Sequence, residues 1–342
     1  MKLLIIRTSA MGDVALLAPV FKSMELQYPD VGMTLVTRPA FAPFFYSFPG
    51  VKLFLADFKK RHLGISGIFR LFMDLKKEEK FDYVLDLHDV LRSKILRRLF
   101  SISGVPVMTI DKGRTEKQNV LNGSKKVQLL HSVGRYYDVF AGAGYKLDPV
   151  DGPWIKASAE GQKRAASLLR ETELIHIGIA PYAKHDLKMW PETNMIKLME
   201  MIAKHSRVRF WLFGGKDETP QLVAMQNRIP ESVLVAGTLN LDEELSLISM
   251  LKFMISMDSS NMHMAALTGA KVISIWGGTD PLTGFGAWKQ PDEYAIKITV
   301  EELTCRPCTV YGKGKCKRGD FACMNWLTPE KVFEKLINLK MI

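Results

Sequence analysis

The stretch KLLIIRTSAMGDVALL, residues 2–17, reads as a buried strand that gives way to a helix through a turn of small residues. After Lys2 come four consecutive large aliphatic residues, the unbroken apolar run of a strand covered on both faces. Ser9, Ala10 and Gly12 follow, small enough for a ligand to approach the backbone, and Asp13 then stands at or near the first turn of the next helix. A helix start favours the ionised carboxylate, which suits a group that takes a proton from an attacking hydroxyl. The same aspartate also fits a plain helix cap.

Outward from this point the pattern repeats. Apolar runs of strand length occur at 3–6, 33–36, 83–87, 175–179, 209–213, 233–235, 253–257 and 272–276, each followed by a longer segment with helical spacing. The alternation predicts an α/β protein with parallel, doubly wound sheets. With 342 residues the chain is expected to form two domains. The Pro- and Gly-interrupted stretch YKLDPVDGP at 145–153 is the natural join, giving domains 1–150 and 151–342 with a cleft between them. Ligands of such sheets bind outside the carboxyl ends of the strands, so the loops after these runs are where chemistry is expected.

Composition narrows the class. The chain is 47% hydrophobic and 24% charged, a globular composition, and it has neither a secretory signal core nor an apolar segment long enough to span a bilayer, so a cytoplasmic protein is expected. Its net charge is +11, unevenly shared: residues 1–150 hold 23 Lys and Arg against 14 Asp and Glu, and residues 151–342 hold 24 against 22. A basic first half suits an anionic partner, although a basic surface that merely confers solubility fits as well. Lys59, Lys60 and Arg61 lead into 63–73, LGISGIFRLFM, whose apolar residues share one helical face, and Lys112 and Arg114 add charge in a later loop. Contact with a phosphorylated acceptor and an anionic membrane leaflet is one reading of this region; a helix whose apolar face is core is the other. Nucleic acid is not expected, because no RNA-binding, helix-turn-helix or zinc-finger pattern is present.

Three loops of the second half could handle a phosphate, and a fourth the hydroxyls of a ribose. After the run at 253–257 come Asp258, Ser259, Ser260 and His263, where Asp258 or Ser259 caps a helix whose bare amides suit a phosphate. His263 fits either a core residue or a donor to the anion. Lys184 and Lys188 follow the run at 175–179, with Trp190-Pro191 fixing the path onward; Lys184 reads as solvated and Lys188 as the ammonium aimed at a ligand. Gly277-Gly278-Thr279-Asp280-Pro281 reads as a glycine turn close to a ligand, and the acidic pair Asp217-Glu218 as a holder of ribose hydroxyls. Neither the dinucleotide fingerprint nor a P-loop is present, so hydride transfer and ATP hydrolysis are not expected.

All four cysteines fall in one short segment, as Cys305-Arg306-Pro307-Cys308 and then Cys316 and Cys323. A structural zinc fits this pattern, as do free thiols or a disulfide. The chain ends in Thr328-Pro329-Glu330, a helix start, and an amphipathic tail expected to pack back across both domains.

Taken in order, 5–13 (IIRTSAMGD), Asp86-Leu87-His88 with Arg92-Ser93, His131 with Arg135-Tyr136, 188–191 (KMWP), Ala236-Gly237-Thr238, Asp258-Ser259-Ser260 with His263, and 277–281 (GGTDP) resemble the lipopolysaccharide heptosyltransferase family of glycosyltransferases over nearly the whole chain. The resemblance implies a GT-B fold of two Rossmann-like domains. It also implies inverting transfer of a heptose from ADP-heptose to the lipopolysaccharide inner core. Asp13 would match the catalytic carboxylate, Lys188 the lysine at the donor phosphates, and Asp258 with Ser259 the helix-entry donor site. Gly12, Ser260 and His263 would complete the donor side, with Ser260 standing where the family commonly carries Gly. Lys59, Lys60, Arg61, Lys112 and Arg114 would face a phosphorylated glycolipid on the inner face of the inner membrane. Because lysine and helix amides can carry the leaving-group charge, no Mg²⁺ is called for by this scheme. A GT-B nucleotide-sugar epimerase, or a non-catalytic nucleotide-sensing peripheral membrane protein, would share much of this architecture.

Overall fold

The computed structural model describes residues 1–123 and 126–342, and the chain divides into two compact units. The first contains residues 1–112 and 132–157, the second residues 113–131 and 158–342.

In the first unit, β1 (Lys2–Ile6), β2 (Gly32–Thr37), β3 (Val51–Leu55), β4 (Tyr83–Asp86) and β5 (Val107–Thr109) form a parallel sheet in the order β3-β2-β1-β4-β5. β1 is central, with Leu4 opposite Thr34 on one side and Val84 on the other. Its four aliphatic side chains are all buried, two on each face, which is why the run carries no polar alternation. On one face the helices Gly64–Glu78 and Leu91–Ile102 pack Ile68, Leu71, Leu75, Leu96 and Phe100 against Leu4, Ile6 and Val84. Phe100 meets Phe72 edge-on at 4.9 Å, a geometry that aromatic quadrupoles favour. The helix Gly64–Glu78 thus has the core face that its spacing allowed.

In the second unit, β6 (Ile175–Ala180), β7 (Val208–Leu212), β8 (Ser232–Leu234), β9 (Phe253–Met257), β10 (Val272–Ile275) and β11 (Ala295–Ile296) form a six-stranded parallel sheet ordered β11-β10-β9-β6-β7-β8. Counted within each unit, both sheets run 3-2-1-4-5, with a sixth strand added in the second. This is the doubly wound order, and it reverses at β1/β4 in the first unit and at β6/β9 in the second. The α/β class with two parallel sheets is therefore as expected. Three strands absent from the apolar runs, β3, β5 and β11, all lie at sheet edges. β3 and β5 are only partly buried, so neither needs a continuous apolar segment.

Local chemistry shows how the chain passes between units. The stretch at 145–153 is strapped to the helix Ala18–Gln27: Gln27 Nε2 donates to the Asp148 carbonyl at 2.7 Å, and Lys22 Nζ donates to the carbonyls of Asp151 and Pro153. The second unit is entered at Ser158, whose hydroxyl caps the helix Ala159–Leu168 by accepting from Gly161 N and itself donates to Asp242. The segment 113–131 belongs to the second unit, where Leu129 N donates to the Leu282 carbonyl at 2.8 Å. The C-terminal helix Pro329–Asn338 buries Val332 and Leu336 in the second core, beside Met199 and Ile202 of the helix Glu192–His205. Among the described residues no helix is long and apolar enough to cross a membrane.

Candidate active site

Two groups of polar side chains stand at the two switch points. In the first unit, the turn after β1 leads into the short helix Met11–Ala15, with Gly12 buried and Asp13 in the first turn. Asp13 Oδ2 accepts from the Ala10 amide at 3.3 Å, so the helix-start role is real, but it also pairs with Arg7 at 2.8 Å. Arg7 is buried, its guanidinium donating to the Leu87 carbonyl and lying 5.7 Å from the Tyr136 ring centroid. The Tyr136 hydroxyl donates to the Asp13 carbonyl at 3.1 Å. Asp13 is thus gripped through backbone and side chain while its carboxylate remains about one quarter exposed (27%). The end of β4 supplies His88, whose ring nitrogens meet the Thr8 hydroxyl at 3.2 Å and the Ser9 hydroxyl at 3.0 Å.

Burial, followed by the charges of Arg7 and Lys112, holds His88 down to about 3. It is therefore neutral at physiological pH, one ring nitrogen donating and the other accepting. The sign of its effect on stability follows directly. The unfolded chain takes up a proton on this ring below about pH 6.5, and the folded chain resists until about 3. Stability from this group is full above pH 6.5 and falls as the pH drops, by up to about 2 kcal/mol at pH 5. Urea denaturation at pH 7 and pH 5 is expected to show this loss, and His88→Asn to flatten the slope.

In the second unit, the loop after β6 carries Lys188 and the end of β9 carries Asp258. Lys188 Nζ pairs with Asp258 Oδ2 at 2.8 Å, and the same oxygen accepts from the Thr279 hydroxyl at 2.8 Å. Asp258 is therefore occupied and does not cap the following helix, Ser260–Thr268. Ser259 occupies the cap position, but its hydroxyl lies 3.2 Å from that of Ser256, and no side chain caps the helix. The capping alternative fails on this geometry. The amides of Ser260, Asn261 and Met262 are not taken by a capping side chain and suit an anion. His263 is buried in the first turn, near enough to His131 to act on its titration. Burial first, and then His263 and Lys117, push His131 down to about 4, while its Nε2 bonds the Gly286 carbonyl at 2.9 Å and its ring lies over Trp288.

Several expected roles change. The glycines at 277 and 278 are required by close packing of the protein on itself. A Cβ on Gly277 would fall 2.2 Å from Met324 Cε, and one on Gly278 would fall 3.1 Å from both Cys308 Sγ and Leu187 Cβ. Glu218 folds back to accept from the Gly215 amide at 2.7 Å, so the acidic pair is not a ready holder of ribose. Lys184 is exposed, in keeping with a solvated side chain. In the basic group, Arg61 is bound bidentately by Asp74 at 2.7 Å, and this fork holds the Asp74 carboxyl down to about 2, whereas Lys59 and Lys60 are exposed. Lys112 lies in the first unit and Arg114 in the second, so sequence adjacency does not place them in one unit.

Of the readings left open for the cysteine segment, the structure describes free thiols. All four cysteines are free, and among the described residues no three His, Cys, Asp or Glu side chains are placed to hold a metal ion, so the thiols do not form the zinc ligand set their spacing allowed. The segment is built in through Arg306 instead. Fully buried, its guanidinium donates to the carbonyls of Gly277, Ile298 and Thr279 and faces Asp280 at 3.4 Å. Further along, Gly312 (φ +80°) lies against the stem of Lys188, where an added Cβ would approach Cγ to 2.7 Å.

The profile of glycosyltransferase family 9 (heptosyltransferase) matches residues 68–315. The chain belongs to glycosyltransferase family 9. It is 24% identical to lipooligosaccharide heptosyltransferase 2 of Haemophilus influenzae over a 361-residue alignment covering 99% of each chain. In fold it is similar to the glycosyltransferase family 9 protein of Veillonella parvula (TM-score 0.77, 16% identity, covering 99% of this chain and 96% of that one). It is also similar to Escherichia coli heptosyltransferase WaaC with ADP-2-deoxy-2-fluoro heptose (TM-score 0.68, 18% identity, covering 99% and 100%). As a family 9 chain this protein is a glycosyltransferase, and neither the epimerase nor the non-catalytic reading is favoured. The matched span contains Lys188 and Asp258 through His263; Asp13 precedes it. Arg7 and Tyr136 stood in the quoted motifs without a role, and their partners became visible only when strand ends distant in sequence were brought side by side. Arg306 and Gly312 had no sequence signal beyond their place among the cysteines.

Proposed function

We propose that this chain is an inverting heptosyltransferase that moves heptose from ADP-heptose to a phosphorylated glycolipid, the lipopolysaccharide inner core, at the inner face of the inner membrane. The observation that carries the reading is the pairing of Lys188 with Asp258 beside an uncapped helix start, at the switch point of a doubly wound sheet in a family 9 chain. Only one of three ammonium N–H groups is spent on Asp258, leaving two for diphosphate oxygens. Together with the first-turn amides, they would take up charge as the nucleotide departs. Asp13, held by Arg7 and Tyr136, would accept the proton of the acceptor hydroxyl as it attacks the anomeric carbon. His88, neutral, would hold the Thr8 and Ser9 hydroxyls in place beside it without adding charge. Lys59 and Lys60 supply exposed cations for acceptor phosphates.

The test is transfer from a panel of ADP-, UDP- and GDP-sugars to truncated lipopolysaccharide, with the anomeric configuration of the product read by NMR. Transfer from ADP-heptose with inversion is expected; a preference for UDP-sugars, or retention, overturns the reading. Because charge on the leaving group is assigned to Lys188 and backbone amides, turnover is expected to persist in EDTA. A smaller effect is expected at Gly312→Ala. A side chain at φ +80° is strained, which lowers stability, and its Cβ would press on the Lys188 stem, so nucleotide affinity measured by calorimetry should fall by about tenfold.

A further inference from the structure

The helix Gly64–Glu78 is apolar on two faces. Its inner face is part of the first unit's core. Ile65, Phe69 and Met73 lie in an i, i+4, i+8 row outside that core and are 76%, 54% and 43% exposed, with Leu63 beside them also exposed. A contiguous row of large apolar side chains on the surface calls for a partner, unlike apolar residues scattered singly. Exposed Lys60, Arg70 and Lys77 flank it, and the acid within it, Asp74, is bound by Arg61.

We propose that this row is the insertion surface for an anionic phospholipid bilayer, with Ile65, Phe69 and Met73 entering the boundary between headgroups and acyl chains while the flanking cations meet lipid phosphates. The chemistry favours a bilayer over a protein. Lysine is depleted at protein–protein interfaces, whereas an apolar stripe bordered by Lys and Arg is the pattern of helices that lie in the membrane interface. The excess of positive charge in residues 1–150 acts in the same direction. The inference rests on the reading of the enzyme as one that works on a lipid-anchored acceptor.

The experiment compares the full-length protein with an Ile65→Ser/Phe69→Ser/Met73→Ser variant in co-sedimentation with phosphatidylglycerol–phosphatidylethanolamine vesicles and with phosphatidylcholine vesicles. Loss of three inserted side chains should weaken binding to the anionic vesicles by about tenfold or more. Binding of the parent protein should be stronger to anionic than to zwitterionic vesicles and should fall with salt. Transfer to a deacylated, water-soluble acceptor should be unchanged in the variant, and transfer to vesicle-embedded acceptor should slow. Undiminished vesicle binding by the variant, equal binding to both vesicle types, or a dimer of the parent chain that the serine variant dissociates would each overturn the proposal. Should the parent protein bind vesicles through this row yet fail to transfer heptose to the soluble acceptor, the surface stands and the reading of the activity falls.

Discussion

Asp13→Asn is expected to lower the rate of transfer by about 10²–10⁴-fold while affinity for the proposed donor, ADP-heptose, stays within about threefold of the parent. The amide keeps the size of the carboxylate and can still accept from the Ala10 N–H, so the turn and the short helix survive. What it loses is the basic site for the acceptor proton. Both variants take the neutralising charge from the buried Arg7, but Asp13→Ala, which should abolish transfer equally, also removes the oxygen that accepts from its guanidinium; it is the less clean variant, since breaking such a pair from one side costs about 3–5 kcal/mol. Initial rates with saturating donor, calorimetry for donor binding and a thermal melt separate the two effects. Turnover within about tenfold of the parent in Asp13→Asn would remove this residue from the chemistry.

Lys188→Ala is expected to weaken nucleotide binding and slow turnover together, since in the proposed reaction the ammonium would contact the diphosphate before and during departure. Removing one preorganised donor to a developing anion costs about 3–4 kcal/mol, or about 10²–10³-fold in rate. The loss is sharpened here because Asp258, buried and left with Thr279, would add uncompensated negative charge where the diphosphate must sit. Lys188→Arg should rescue poorly, because the stem is packed on Gly312 and a guanidinium is a planar fork in place of a compact cation. Asp258→Asn/Lys188→Ala tests the charge argument: the double variant should bind nucleotide more tightly than Lys188→Ala alone. Unchanged nucleotide affinity in Lys188→Ala would exclude the residue from the donor site.

The helix Gly64–Glu78 shows that one helical pattern can hold both a core face and an exposed apolar row. Periodicity alone cannot tell a core face from a surface row when both are apolar and adjacent on the helix. Burial of Ile68, Leu71 and Leu75 beside exposure of Ile65, Phe69 and Met73 separates them.

The amino-acid sequence by itself determined the class of the fold and the strand ends that carry polar chemistry. Interior parallel strands are covered on both faces and are therefore mostly apolar, so the runs at 3–6, 83–87, 175–179 and 253–257 could be read despite Asp86, His176 and Ser256 within them, and with them the loops holding Asp13, His88, Lys188 and Asp258. The edge strands β3, β5 and β11 lack that burden and left no such trace. Only the tertiary structure decided which partner each polar group takes: Asp13 with Arg7, Asp258 with Lys188 rather than with its own helix, Glu218 with its own turn, and Arg306 rather than the cysteines as the anchor of the late segment. The reason is physical. A local pattern limits which backbone a residue can adopt, but a buried charge or donor is satisfied by whatever group the strand order brings within about 3 Å, and that neighbour is usually remote in sequence.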